Sequence, residues 1–117
     1  MRHLKKVKKL NKVKGHRDLM LKNLAASIIQ YEEVETTEAK AKAVSSFVDK
    51  IISMGKPGGL NARRRLYETL PTKIAANKVL EVLNDRYKDR TSGFTSIVHI
   101  GVRKGDNSRM VKIKLIS

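Results

Sequence analysis

The chain has 117 residues, enough for one domain with one modest core, and its 26 Lys and Arg against 11 Asp and Glu give a formal charge of +15. Cysteine is absent, which excludes disulfide frameworks and thiolate metal sites and fits a reducing compartment. Aromatic residues make up only 4%, too few for a base-stacking platform, so the charge points to a phosphate-rich partner gripped through its backbone and shape.

Residues 1–15 read as a basic arm ahead of a single globular domain over 16–117. Residues 1–17 carry eight Lys or Arg and no acidic side chain, and the remainder holds 18 bases against 11 acids, so the body is basic as well. In the arm, Leu4, Val7, Leu10 and Val13 recur every third residue, a spacing that drifts about 60° per step round a helix and sustains no long apolar face. The arm is expected to stay disordered until a polyanion orders it. No apolar run suited to a secretory core or a membrane span follows, so neither export nor membrane insertion is expected. Bulky anchors for a membrane-surface helix are missing too.

Helical spacing of Met20, Leu24 and Ile28, with Leu21 and Ala25 beside them, predicts a first helix over 16–31. Glu33-Val34-Glu35-Thr36 alternates with period two and predicts a short strand with Val34 inward. Thr36 or Thr37 is the expected N-cap of a second helix, with Glu38 in its first turn. Its stripe is Ala41, Val44, Val48, Ile51 and Ile52, and Gly55-Lys56-Pro57-Gly58-Gly59 ends it.

Asn61 is expected to cap a shorter helix carrying Arg63, Arg64, Arg65 and Leu66, which Pro71 ends or bends. A fourth helix over about 72–87 presents Ala76, Leu80, Leu83 and Tyr87, with Ala75 and Val79 adjacent. Beyond a polar loop, Val98, Ile100 and Val102 alternate with His99, Gly101 and Arg103. After Lys104-Gly105-Asp106-Asn107-Ser108, Val111, Ile113 and Leu115 alternate with Lys112 and Lys114. This predicts a hairpin with one apolar and one wet face. The order α-β-α-α-α-β-β defines an α/β chain of the α+β type: two layers, a small three-stranded sheet packed on helices, and an N-terminal basic extension.

The carboxylates and the three histidines do not converge on a catalytic site. His3 and His16 lie in or beside the arm, Asp18 is placed to cap the first helix and orient His16, and His99 falls on the expected outer face of the sheet. The Lys104-Gly105-Asp106-Asn107 segment joins two strands instead of opening a helix, and it lacks the glycine spacing of a phosphate loop. No His, Asp or Glu pair stands at metal-ligand spacing. No catalysis, metal, cofactor or small-molecule substrate is therefore expected.

Three consecutive arginines at a helix start cannot all face one core, so Arg63 to Arg65 should leave at least one guanidinium for phosphate. The competing reading is a solvated face paired with Glu68 or Glu81. Lys112, Lys114, Arg103 and His99 are expected to form a cationic strip on the sheet, with Glu33 and Glu35 as rival cross-strand partners.

Particular strings add to this. Met1-Arg2-His3-Leu4-Lys5, Leu10-Asn11-Lys12, His16-Arg17 and Asn23 are followed by Thr36-Thr37, Lys40-Ala41-Lys42, Ala62-Arg63-Arg64-Arg65-Leu66, Gly93-Phe94-Thr95 and Arg103-Lys104-Gly105-Asp106-Asn107. In this order and spacing the chain resembles the bacterial large-subunit ribosomal protein family numbered seventeen, from Met1 to the last strand. The resemblance implies a non-catalytic building block of the large ribosomal subunit in the cytoplasm. It implies a seat on 23S rRNA toward the solvent side near the nascent-chain exit, with other large-subunit proteins as neighbours and no cofactor.

It also implies rRNA-facing residues: Arg2, His3, Lys5, Lys9 and Lys12 in the arm, His16, Arg17 and Asn23 at the first helix, Thr37 and Lys40 at the next corner, and Arg63, Arg64 and Arg65. The charge map adds Lys6, Lys8, Lys14, Arg103 and Lys104. Where the family commonly has Tyr and then Thr-Arg after glycine, this chain has Phe94, Thr95 and Ser96, without the hydroxyl and the guanidinium, which puts an rRNA contact there in question. Lys114 stands where an acidic residue is usual. The alternative is a DNA-binding architectural or regulatory module, for which residues 62–70 offer few base-reading side chains beyond arginine.

Overall fold

A computed structural model describes residue 10 and residues 13–116. Helix α1 (Lys14–Tyr31) runs into strand β1 (Glu33–Thr37), then α2 (Glu38–Gly55) and α3 (Gly59–Thr69) follow. A fourth helical stretch comprises α4 (Lys73–Lys78), a π-helical segment (Val79–Leu83) and a short last turn, α5 (Asn84–Arg86). Strands β2 (Thr95–Val102) and β3 (Arg109–Leu115) complete an antiparallel sheet of order β1-β3-β2. The α+β architecture and the element order are those expected. None of the described helices is long and apolar enough to cross a membrane.

Amphipathic periodicity explains most of the core. Ala41, Val44, Val48, Ile51 and Ile52 bury one face of α2, and Ala75, Ala76, Val79, Leu83 and Tyr87 join the same core from the fourth helical stretch. Helix α1 contributes Ala25, Ala26, Ile28 and Ile29, while its first half has no fully buried side chain and only Leu21 packs against the core from it. From the central strand, Val111, Ile113 and Leu115 point into the same core and Lys112 and Lys114 point away. Phe94 is the largest fully buried side chain among the described residues: its ring lies 5.1 Å from that of Tyr87, its N–H donates to Asp49 Oδ1 at 3.2 Å, and the Lys56 ammonium stands 5.2 Å over it. A residue so enclosed packs the interior, and its missing hydroxyl is not a surface feature.

Several local expectations are corrected. Helix α1 begins at Lys14, so Gly15 lies inside it and Asp18 sits too far along to cap it; Val13 occupies the N-cap. Thr37 occupies the α2 N-cap with no side-chain cap bond, leaving Glu38 alone to favour the helix dipole. Gly58, at φ 68°, precedes α3, and Asn61 lies within that helix instead of capping it. Thr72 does cap α4, its Oγ1 accepting from the Ala75 N–H.

The largest departure is β2. Its register pairs Ile97 with Ile113 and His99 with Val111, which places His99 on the helix side and Val98 on the outer face opposite Lys112. A bulge between His99 and Gly101 then shifts the strand, and Val98, Ile100 and Val102 are all exposed. The apolar alternation there does not mark a buried face.

Candidate nucleic-acid interface

Seven of the expected phosphate-facing residues, Arg2, His3, Lys5, Lys6, Lys8, Lys9 and Lys12, lie outside the described residues. Of the others, Lys14, His16 and Asn23 are exposed on α1, and Arg17 is half-buried with Asp18 at 3.9 Å. Thr37 closes β1 and Lys40 sits in the first turn of α2, both half-buried.

This corner meets the far end of the hairpin. A cleft of about 540 Å³ is lined by Leu10, Thr37, Glu38, Ala39, Lys42, Ser108 and Arg109. Glu38 draws in the neighbouring cations, with Lys42 at 2.8 Å and Arg109 at 3.9 Å. The Lys42 ammonium holds its carboxyl below the ordinary carboxylate range, and His99 and Arg109 add to the effect. Positive charge at this corner is therefore partly neutralised from within.

The hairpin tip behaves similarly. Arg103 grips Asp106 with two bonds, Nε to Oδ1 at 3.0 Å and Nη2 to Oδ2 at 2.6 Å, so the fork expected to meet phosphate closes the turn. The same guanidinium holds the Asp106 carboxyl well below its usual range, helped by the Ser108 N–H. Lys104, in the turn itself, is exposed. On the outer sheet face Lys112 lies 3.8 Å from Glu33, whereas Lys114 has no carboxylate at ion-pair distance among the described residues. His99 does not join Lys112 and Lys114, because the register puts it on the other face.

Helix α3 keeps its charge available. Arg64 and Arg65 are exposed, and neither Glu68 nor Glu81 pairs with them; among the described residues no carboxylate comes within 4.0 Å of any of the three guanidinium groups. Arg63 is half-buried and held by neutral partners, Tyr67 and Asn77. Asn77 stands 14 positions away, so nothing in the local pattern announces the pairing. Helix α3 follows the C-terminal end of α2, and the Thr37 corner lies at the other end, across an 18-residue helix that extends about 27 Å. Among the described residues the structure thus gathers the basic side chains into separate places, with three arginines free of carboxylate partners on α3. Among the described residues no cluster of three or more His, Asp or Glu side chains could hold a metal ion.

Fold and surface together define a small basic α+β domain that carries a cationic helix at its surface, with no assembled catalytic group among its described residues. Relatives carry the assignment further. The family model described as Ribosomal protein L17 matches residues 20–116, and the chain belongs to that family. It is 40% identical over 116 residues to the large ribosomal subunit protein bL17 of Hyphomonas neptunium, covering 99% of this chain and 83% of the relative. The bL17 protein of Bradyrhizobium diazoefficiens is 41% identical over the same length, with 84% of the relative covered. That of Campylobacter concisus is 38% identical across 100% of this chain and 99% of its own.

Proposed function

We propose that this chain is a non-catalytic structural constituent of the large ribosomal subunit, working in the cytoplasm. It binds 23S rRNA and lies against neighbouring large-subunit proteins. Binding divides between a basic arm over 1–15 and a globular body over 16–117. The arm supplies Arg2, His3, Lys5, Lys6, Lys8, Lys9, Lys12 and Lys14, and the body adds His16, Arg17, Asn23, Thr37, Lys40, Arg63, Arg64 and Arg65, with Arg103 and Lys104 at the hairpin. The observation that carries the reading is a likeness to large ribosomal subunit proteins running the length of a chain with charge +15. Exposed cations without carboxylate partners among the described residues, such as Arg64 and Arg65, match a partner that presents dense phosphate.

The DNA-binding alternative gains no support: α3 offers arginines but few other side chains able to read base edges. Gradient sedimentation of cell extract tests the assignment. The chain should comigrate with the large subunit and persist there through moderate salt. A predominantly free pool, or association with chromosomal DNA, overturns it.

A further inference from the structure

The junction of α3 and α4 holds a cluster that charge alone does not reveal. Arg63 and Tyr67 lie four residues apart on α3, Lys73 and Asn77 four apart on α4, and the Leu70-Pro71-Thr72 corner folds the two faces together. Arg63 Nη1 donates to the Tyr67 hydroxyl oxygen at 3.0 Å and to Asn77 Oδ1 at 3.2 Å, and the Tyr67 hydroxyl donates to Asn77 Oδ1 at 2.8 Å. Both Nη1 hydrogens are thereby used. The other edge of the guanidinium, Nε and Nη2, has no hydrogen-bond partner among the described residues.

A second cation shares the place. Lys73 Nζ stands 5.9 Å from the centre of the Tyr67 ring, and the Arg63 guanidinium carbon stands 6.0 Å from the same point. Neither has a carboxylate at ion-pair distance among the described residues. Two positive groups each lie within about 6 Å of one ring, and the open guanidinium edge of Arg63 matches a tetrahedral oxyanion that accepts two parallel N–H bonds. Because folding has already restrained Arg63, less side-chain freedom remains to be lost when such a partner arrives.

We infer that Arg63 and Lys73 form a clasp for one backbone phosphate of RNA, with Tyr67 and Asn77 as positioning residues that hold the Arg63 fork in its receiving orientation. The inference rests on the proposed rRNA binding and assigns one contact within it. Arg64 and Arg65, by contrast, are exposed without such partners and supply general attraction.

The test uses the full chain and large-subunit rRNA, with affinity measured across a series of salt concentrations and folding checked by thermal unfolding. Arg63→Met combined with Lys73→Met lowers the log–log salt slope by about 0.7 to 0.9, the loss of the one phosphate contact they share, and each single variant lowers it by part of that. Tyr67→Phe lowers affinity about three- to tenfold with the slope unchanged, since the charge stays while its orientation loosens. Adding Tyr67→Phe to Arg63→Met then has no further effect, because the hydroxyl acts only through the guanidinium. Unchanged slopes in the methionine variants, or additive losses when Tyr67→Phe joins Arg63→Met, overturn the clasp while leaving rRNA binding intact. A wild-type chain that ignores the rRNA overturns the broader reading itself.

Discussion

Glu32 closes α1 in the left-handed conformation, φ 68°, which costs a side-chain-bearing residue about 1 kcal/mol. Its neighbours offset that strain. The Glu32 N–H donates to Ile28 O at 2.8 Å, and its carbonyl accepts from Leu115 N–H at 2.9 Å. Its carboxylate receives Arg86 and Lys78, which bracket the π-helical segment. The Arg86 bond chiefly, then the Lys78 bond, pulls the carboxyl from its ordinary 4.5 down to about 2.

A carboxyl depressed on folding stabilises the native state above its unfolded value and loses that contribution as pH falls toward the folded one. The side chain is 41% exposed, so solvent screening holds the contribution to about 1 kcal/mol. Glu32→Gln should therefore lower unfolding stability by about 1 kcal/mol near neutral pH in urea titrations. The gap to wild type should begin to close below about pH 4.5 and narrow steadily toward pH 2; a constant gap from pH 6 to 3 contradicts the account. Alternation in Glu33-Val34-Glu35 marks the outward glutamates, but no local pattern marks Glu32, whose partners come from 46 and 54 residues away.

Between elements, α2 comes close to the π-helical segment at Gly55. Gly55 is fully enclosed there, and a Cβ on it would lie 2.7 Å from Val79 Cγ1 and 3.3 Å from Leu66 Cδ1. Alanine normally gains about 1 kcal/mol over glycine within a helix, but overpacking against a stiff β-branched side chain costs about 1 to 3 kcal/mol. Gly55→Ala should thus be net destabilising. In a double-mutant cycle, Val79→Ala should recover part of the loss by removing the methyl in the way. Simple additivity, or a stabilised Gly55→Ala, rules out the clash as its cause.

This meeting of helices shows what the chain reveals locally. The apolar stripe of α2 was readable because the 3.6-residue period holds throughout it, and the arginines of α3 were readable because three in a row cannot share one face. The π-helical insertion was not, since Val79 to Leu83 has the composition of ordinary helix. Strand β2 misleads for a related reason: Val98, Ile100 and Val102 keep the period, but the bulge near Gly101 and the edge position leave them without a covering layer. The link from Arg63 to Asn77 likewise arises only once α3 and α4 fold together.

Across the whole molecule, the issue is how charge is divided between the arm and the body. Among the described residues the buried cluster begins at Ala25, so residues 1–12 lie well outside it in sequence, yet they carry six of the 26 basic side chains. The body meanwhile spends part of its charge internally, through Lys42, Arg103 and Arg109 on nearby carboxylates and through Lys78 and Arg86 on Glu32. Removing residues 1–12 should leave unfolding stability within about 1 kcal/mol of wild type, since the buried cluster of the described residues begins at Ala25. It should lower the salt slope of rRNA binding by as much as about 4 to 5, since each phosphate contact carries about 0.7 to 0.9. Charge reversal of Arg64 and Arg65 in the full chain should lower the slope by less than the truncation does, because only two contacts are at stake. A truncated chain that keeps the wild-type slope would move the phosphate contacts onto the body, and the exposed Arg64 and Arg65 of α3 would be the first of its cations to test.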